Sequence, residues 1–269
     1  MKTLARRLIV ASTVAALTIG AAEAHRAWIL PSTTIVSGEG AYVTLDAAAS
    51  NDLFFPDHRP MQVDQIVITA PDGGTSKPVN VMVGQYRTTF DVKLDQKGTY
   101  RIANASSGLN ASWKEGTETK RWRGTMAEYV EQGIDKKPGI ELTVSSRRVE
   151  TFVTAGAPTD VKATGKGLEL NAITHPNDLY SGEEVSFKLT DNGKPAANLA
   201  VQIIAGGDRY RADEGAIKVT TDKDGVIKFK FPAAGMYWLN AESQGSTTME
   251  GKTMKSSSMY SAVLEVLPG

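Results

Sequence analysis

Three histidines and no cysteine are distributed over this 269-residue chain. A tight transition-metal site here must therefore draw on imidazole, amine and carboxylate, with thioether as the only sulfur donor. His25 stands out for its position. It follows Ala22-Glu23-Ala24, which fits the A-x-A rule for signal-peptide cleavage. Cleavage after Ala24 makes His25 the first residue of the mature protein. A terminal histidine chelates through its α-amine and its imidazole Nδ1 together, a bidentate arm that no internal histidine has. The amine has a reference pKa of about 7.7–8.0, so giving up its proton to a metal near neutral pH costs only about 1 kcal/mol.

His58 lies in a loop, Phe55-Pro56-Asp57-His58-Arg59-Pro60, and His175 precedes Pro176, which favours extended backbone before it. No two histidines are three or four residues apart, and neither H-E-x-x-H nor C-x-x-C occurs. Any metal site must be assembled by the fold from His25, His58 and His175. His58 is the first expected partner of His25, because both fall in the first half. Asp57 is either an outer ligand, a hydrogen-bond acceptor behind the site, or a solvated turn acid. Two imidazoles and the amine would form a T-shaped nitrogen set, the histidine brace, whose tetragonal geometry favours Cu(II) or Ni(II). The bland alternative is a frayed terminus and two ordinary loop histidines.

Other candidates are weaker. Met249, Met254 and Met259 recur every five residues in a polar stretch, where thioethers could serve Cu(I) or be incidental. Lys120-Arg121-Trp122-Arg123 could bind an anion or a partner, or form a solvated face held by one tryptophan. Arg209-Tyr210-Arg211 reads the same way. No G-x-S-x-G elbow and no phosphate-cradling P-loop is present.

The elements that must position these residues are β-strands. Residues 1–24 read as a signal peptide, with Lys2, Arg6 and Arg7 ahead of an apolar stretch from Leu8 to Ile19. That stretch is too short to span a bilayer, so the mature protein is expected in the periplasm, soluble or at most peripheral to a membrane. Removing the segment leaves 27 basic and 29 acidic side chains, a balance that argues against nucleic-acid binding. Without cysteine the fold cannot rely on disulfides.

Period-two alternation marks strands at Tyr42–Leu45, Gln65–Thr69, Thr88–Leu94 and Tyr100–Ala103. It recurs at Val185–Leu189, Val201–Ile204, Ile217–Thr221, Val226–Phe231, Met236–Ala241 and Ala262–Leu267. Turns are signalled at Pro71-Asp72-Gly73-Gly74, Asp191-Asn192-Gly193 and Asp222-Lys223-Asp224-Gly225. Ser-Gly-Glu precedes a strand in each half, at Ser37 and at Ser181. Gly98-Thr99-Tyr100 matches Gly235-Met236-Tyr237.

The expected fold is all-β: two tandem immunoglobulin-like antiparallel sandwiches over 25–157 and 158–269, with an insertion at 106–137 in the first. Within the insertion, Thr125-Met126-Ala127-Glu128 has capping-box spacing, and Gly133 can end the short helix. Gln244–Ser258 reads as a mobile loop.

His25-Arg26-Ala27-Trp28-Ile29-Leu30-Pro31, Ser50-Asn51-Asp52-Leu53-Phe54-Phe55, His58-Arg59-Pro60, Lys120-Arg121-Trp122-Arg123-Gly124, Thr174-His175-Pro176-Asn177-Asp178-Leu179 and Gly235-Met236-Tyr237-Trp238 make up one pattern. It resembles bacterial periplasmic proteins catalogued as a domain of unknown function. Some of those relatives are labelled components of nickel or cobalt uptake systems. The resemblance spans nearly the whole mature chain and implies Ni or Co, where the donor chemistry favours Cu. It also implies a partner such as an inner-membrane transporter or an outer-membrane receptor. The function expected is metal uptake or handling without turnover. The alternatives are a copper-dependent oxidative enzyme with a histidine brace and a metal-free protein-interaction module.

Overall fold

The computed structural model describes residues 25–38, 40–249 and 251–269. The expected signal peptide and its cleavage site lie outside the described residues on the N-terminal side. Among the described residues the fold is all-β in several sheets, with a single six-residue α-helix. No described helix is long and apolar enough to cross a membrane.

The first sheet runs in the order Arg26–Pro31, Ala41–Ser50, Thr88–Leu94, Val79–Val83, with the short strand Arg59–Pro60 also paired to Ala41–Ser50. Its inward residues, among them Ile29, Leu45, Phe90 and Val92, pack against Ile66, Tyr100, Ile102, Val149 and Val153 of a larger sheet. A third sheet, built on Leu168–Ala172, Glu184–Asp191 and Val226–Lys230, covers the other end of that larger sheet. There Leu170, Phe187 and Phe229 meet Ile203, Leu239, Tyr260 and Leu264. Each half is thus sandwich-like, with alternation supplying the buried face in strands such as Thr88–Leu94.

The larger sheet is common to both halves. Its ten strands include the long strands Gly98–Glu115, Glu141–Ala155, Gly235–Met249 and Lys252–Val266. Glu141–Ala155 pairs antiparallel with Gly98–Glu115 on one side. On the other it pairs in parallel with Lys252–Val266, from Thr143↔Lys255 to Thr151↔Val263. The expectation of two tandem sandwiches is corrected in one respect, because one hydrogen-bonded sheet joins them. The correction has a physical cause: both strands are apolar on one face and carry backbone groups that must be paired.

The Gly-x-Tyr landmark still matches across the halves. Tyr100 donates its hydroxyl to Gln96 O and Tyr237 to Ala233 O, each four residues upstream. Both rings are buried, and each follows a glycine at positive φ, Gly98 at 127° and Gly235 at 144°. At Gly98 a Cβ would also sit 2.7 Å from Pro71, so the position excludes side chains twice over.

Two local expectations need revision. The segment Gln244–Ser258 is not a loop, since Gly235–Met249 and Lys252–Val266 form a hairpin paired out to Met249↔Lys252. Its Ser, Thr and Lys residues serve as strand residues on a ribbon that outruns the core. The insertion is likewise mostly strand, because Gly98–Glu115 and Glu118–Gly124 pair through it. Its helix Met126–Glu131 is capped as the spacing predicts, with Glu128 N donating to Thr125 Oγ1 and Thr125 N donating to Glu128 Oε2.

Candidate metal centre

The first strand is buried on both faces. Ala27 and Ile29 point into the first sandwich. Trp28 points the other way, onto Ile204, Trp238 and Val263 of the second half. Trp238 Nε1 donates to Ala27 O at 2.9 Å, and Ser261 Oγ donates to the same carbonyl at 3.1 Å. Arg26 pairs with Asp208 at 2.6 Å and also with Glu214. These contacts fix the strand that begins one residue after His25.

The loop after Ser50 is pinned by the same carboxylate. Leu53 N donates to both oxygens of Asp208, at 3.0 and 3.2 Å. Phe54 adopts φ 63° and sets its ring edge-on to Trp28, with 5.8 Å between centroids. Gly206 leaves room for that ring, because a Cβ there would lie 2.8 Å from it. Asp57 closes the loop by accepting from Asn51 N at 2.9 Å and Asn51 Nδ2 at 3.2 Å. His58 then enters the short strand Arg59–Pro60, where Arg59 pairs with Ala49.

These anchors bring two of the three histidines together. The rings of His25 and His58 stack with centroids 3.4 Å apart and planes 4° from parallel. Both residues are exposed. Stacked rings cannot aim two nitrogens at one ion, so binding requires one ring to turn about its χ angles. At an exposed site this costs little packing. Among the described residues no cluster of three or more His, Cys, Asp or Glu occurs. A third donor for this pair would have to be the amine that cleavage frees.

The structure does not bring His175 to the pair. Asn177 N donates to its Nδ1 at 3.1 Å, so the proton sits on Nε2, which lies 3.1 Å from Thr159 O and 3.0 Å from Thr99 Oγ1. Both ring nitrogens are engaged. Asn177 in turn donates to Thr34 O and Phe152 O, past the far end of the first strand. His25 and His175 therefore flank opposite ends of Arg26–Pro31, a strand about 20 Å long.

Burial pulls the imidazole of His175 below its ordinary pKa, with the Thr159 carbonyl opposing. A depressed histidine contributes stability that is present above the unfolded value and lost as pH falls. The thermal midpoint is expected to drop between pH 7 and 5, and to drop less in His175→Gln. An equal drop in both proteins would assign the acid sensitivity to other groups.

The methionines do not form a site. Met254 is buried against Leu109, Trp113 and Tyr129, and Met259 packs on the first core. Arg211 braces backbone, donating to the carbonyls of Ala205, Gly206 and Glu214. Arg209 lies over the Phe55 ring at 4.0 Å. The residues to which sequence reasoning gave no part in the site are Asp208, Glu214 and Trp238, which hold the terminus in place from 182 to 211 residues away. Their only signal is the Gly-Met-Tyr-Trp run and an acid beside the Arg-Tyr-Arg cluster.

A family model described as a domain of unknown function, DUF4198, matches residues 22–245. The chain belongs to that family. No curated protein matches it. Among solved structures, it is similar at 14% identity to a putative carbohydrate-binding protein from Pseudomonas aeruginosa, covering 40% of this chain and 89% of that one with a TM-score of 0.23. The ligand-binding domain of human OSCAR is also 14% identical, with 90% and 99% coverage and a TM-score of 0.21. Trypsin-activated α-2-macroglobulin from Escherichia coli is 13% identical over 90% of this chain and 16% of its own length, with a TM-score of 0.22. Likenesses this slight assign neither fold nor activity, and the DUF4198 match by itself gives no evidence of a relation to nickel or cobalt uptake.

Proposed function

We propose that the protein is a periplasmic transition-metal carrier whose site is His25 and His58, completed by the α-amine of the mature terminus. The observation that carries this reading is the stacked pair, 3.4 Å apart at the head of a strand pinned on both faces. Two imidazoles and an amine are borderline donors that suit Cu(II) and Ni(II), with Co(II) below them in affinity. The covalent geometry of the terminal arm is set before binding, so the second nitrogen of that arm adds little entropic cost. Exposure of both rings suits capture and release to a membrane transporter or receptor. We also read the halves as immunoglobulin-like units fused along one sheet, with Tyr100 and Tyr237 at equivalent posts.

The test measures Cu(II), Ni(II) and Co(II) affinity under a competing chelator for three proteins: one starting at His25, one with an extra N-terminal residue, and His58→Ala. Each change is expected to weaken the preferred metal at least about tenfold, or about 1.4 kcal/mol. Equal affinity in all three would overturn the site. Open access to the rings also favours an oxidative copper site as the second reading. Oxygen consumption by the copper-loaded protein with a reductant, abolished in His58→Ala, would select it over carriage.

A further inference from the structure

The two long strands of the first half run past the sandwich they help to form. On their inward face the residues change character at one point. Ile102, Val149 and Val153 lie in the core. Beyond them the same face presents Asn104, Ser106 and Arg147, in register as Val149↔Asn104 and Arg147↔Ser106. Glu118–Gly124 extends the face with Arg123, which pairs opposite Asn110. The facing sheet stops short at Arg59–Pro60. Between them opens a cavity of about 470 Å³ lined by Arg59, Arg123 and Arg147, with amide and hydroxyl groups and no carboxylate.

Three guanidiniums around one space repel each other. Among the described residues none of the three makes an ion pair or a hydrogen bond, and Arg147 Nε is buried without a partner. Burial first, then the like charges of Arg59 and Arg123, pull Arg147 below its ordinary value. Arg147 is half-buried while Arg59 and Arg123 are exposed, and a guanidinium nitrogen shut off from water without a counter-charge is costly, because its desolvation is not repaid. The same face could have carried an acid, as Glu150 does for Arg101 and Arg148 on the opposite face.

We propose that this cavity binds a small soluble polyanion through its oxyanion groups. Guanidinium forks match carboxylate and phosphate oxygens in bidentate pairs. The volume falls in the range of cavities that enclose small organic ligands. Asn104, Gln65 and Ser106 add neutral partners for hydroxyl groups on the same molecule. The site stands apart from the histidine reading, although Arg59 follows His58 in the chain.

The experiment is calorimetric titration of the full protein, stripped of metal on a chelating resin, at 0.15 M chloride (about physiological ionic strength). Citrate represents carboxylates, pyrophosphate represents phosphates, and glucose is the neutral control. Saturable binding of at least one anion below about 1 mM, with none for glucose, is expected. Arg147→Gln and Arg123→Gln should each weaken it at least about tenfold, and Arg87→Gln, a charge-matched change beside Asp46, should not. His58→Ala should bind the anion as wild type does, which separates this site from the metal reading. The anion should raise the thermal midpoint of wild type and leave that of Arg147→Gln unmoved, a readout that also reports folding. Absence of saturation with both anions, or equal loss in Arg87→Gln, would overturn the proposal.

Discussion

Glu150→Ala is expected to destabilise the protein by about 3–5 kcal/mol, the cost of breaking a buried ion pair on one side. Glu150 is fully buried on the sheet that joins the halves. Its Oε1 accepts from the Tyr260 hydroxyl at 2.7 Å. Its Oε2 lies 3.4 Å from Arg148 Nη1 and 3.4 Å from Arg101 Nε, the latter an ion pair without hydrogen-bond alignment. Both guanidiniums are nearly buried, so removal of the acid leaves two uncompensated cations and an orphaned hydroxyl. Chemical denaturation of the variant measures the loss. A change within 1 kcal/mol (about the scatter of a surface pair) would mean that water, or the bonds that Arg101 Nη1 donates to Lys162 O and Arg148 Nη2 donates to Thr164 Oγ1, suffice for the two cations.

The same cluster sets an alkaline limit. Burial, and then the neighbouring Glu150 carboxylate, push the Tyr260 hydroxyl well above its ordinary value. In the unfolded chain tyrosine ionises near pH 10. Above that value the unfolded state sheds a proton that the folded state keeps. The stability attached to Tyr260 is therefore complete below about pH 10 and lost as pH rises further. Tyr260→Phe, tested across pH 9–11, is expected to show a shallower decline than wild type.

Trp238→Ala is the second large effect, about 3–5 kcal/mol from lost packing. The indole is nearly buried against Trp28, Leu53 and Val263, and its Nε1 holds Ala27 O. What separates this change from ordinary core damage is its reach. Releasing Ala27 frees the strand that places His25, so the histidine pair should lose metal affinity at temperatures where the rest of the fold remains intact. Leu239→Ala, one residue away but facing the other core, should lower stability similarly and spare the site. Parallel loss of affinity in both variants would show that the terminus is not specifically held by Trp238.

Much of this architecture is legible from residue order. Thr88–Leu94 alternates so cleanly that its bounds are the observed ones. The Gly-x-Tyr pair and the capping box at Thr125 are local features, and local features are what spacing encodes. The junction of the halves has no such signature. Pairing between Thr143–Thr151 and Lys255–Val263 depends on partners more than 100 residues apart, and alternation does not mark the central strand Glu141–Ala155 at all. Gln244–Ser258 looks like a loop because its apolar content is low, yet hairpin pairing and the burial of Met254 against Leu109, Trp113 and Tyr129 hold it as strand. For the histidines, the sequence indicates that His25 and His58 share a half. It does not indicate that His175 is committed to Thr99 and Thr159, since those Nε2 contacts arise only when distant segments meet, while Nδ1 is held locally by Asn177 N.

The parallel seam also dictates an order of events. Until Lys252–Val266 arrives, Glu141–Ala155 presents a long, unpaired margin with ready donors and acceptors, the kind of template that recruits other chains. Every stage of synthesis before Lys252–Val266 leaves that margin open. Contacts this remote in the chain form slowly, so self-association threatens throughout the interval in which Glu141–Ala155 exists and its parallel partner has not docked. A holdase acting in that interval would protect this margin more than any loop.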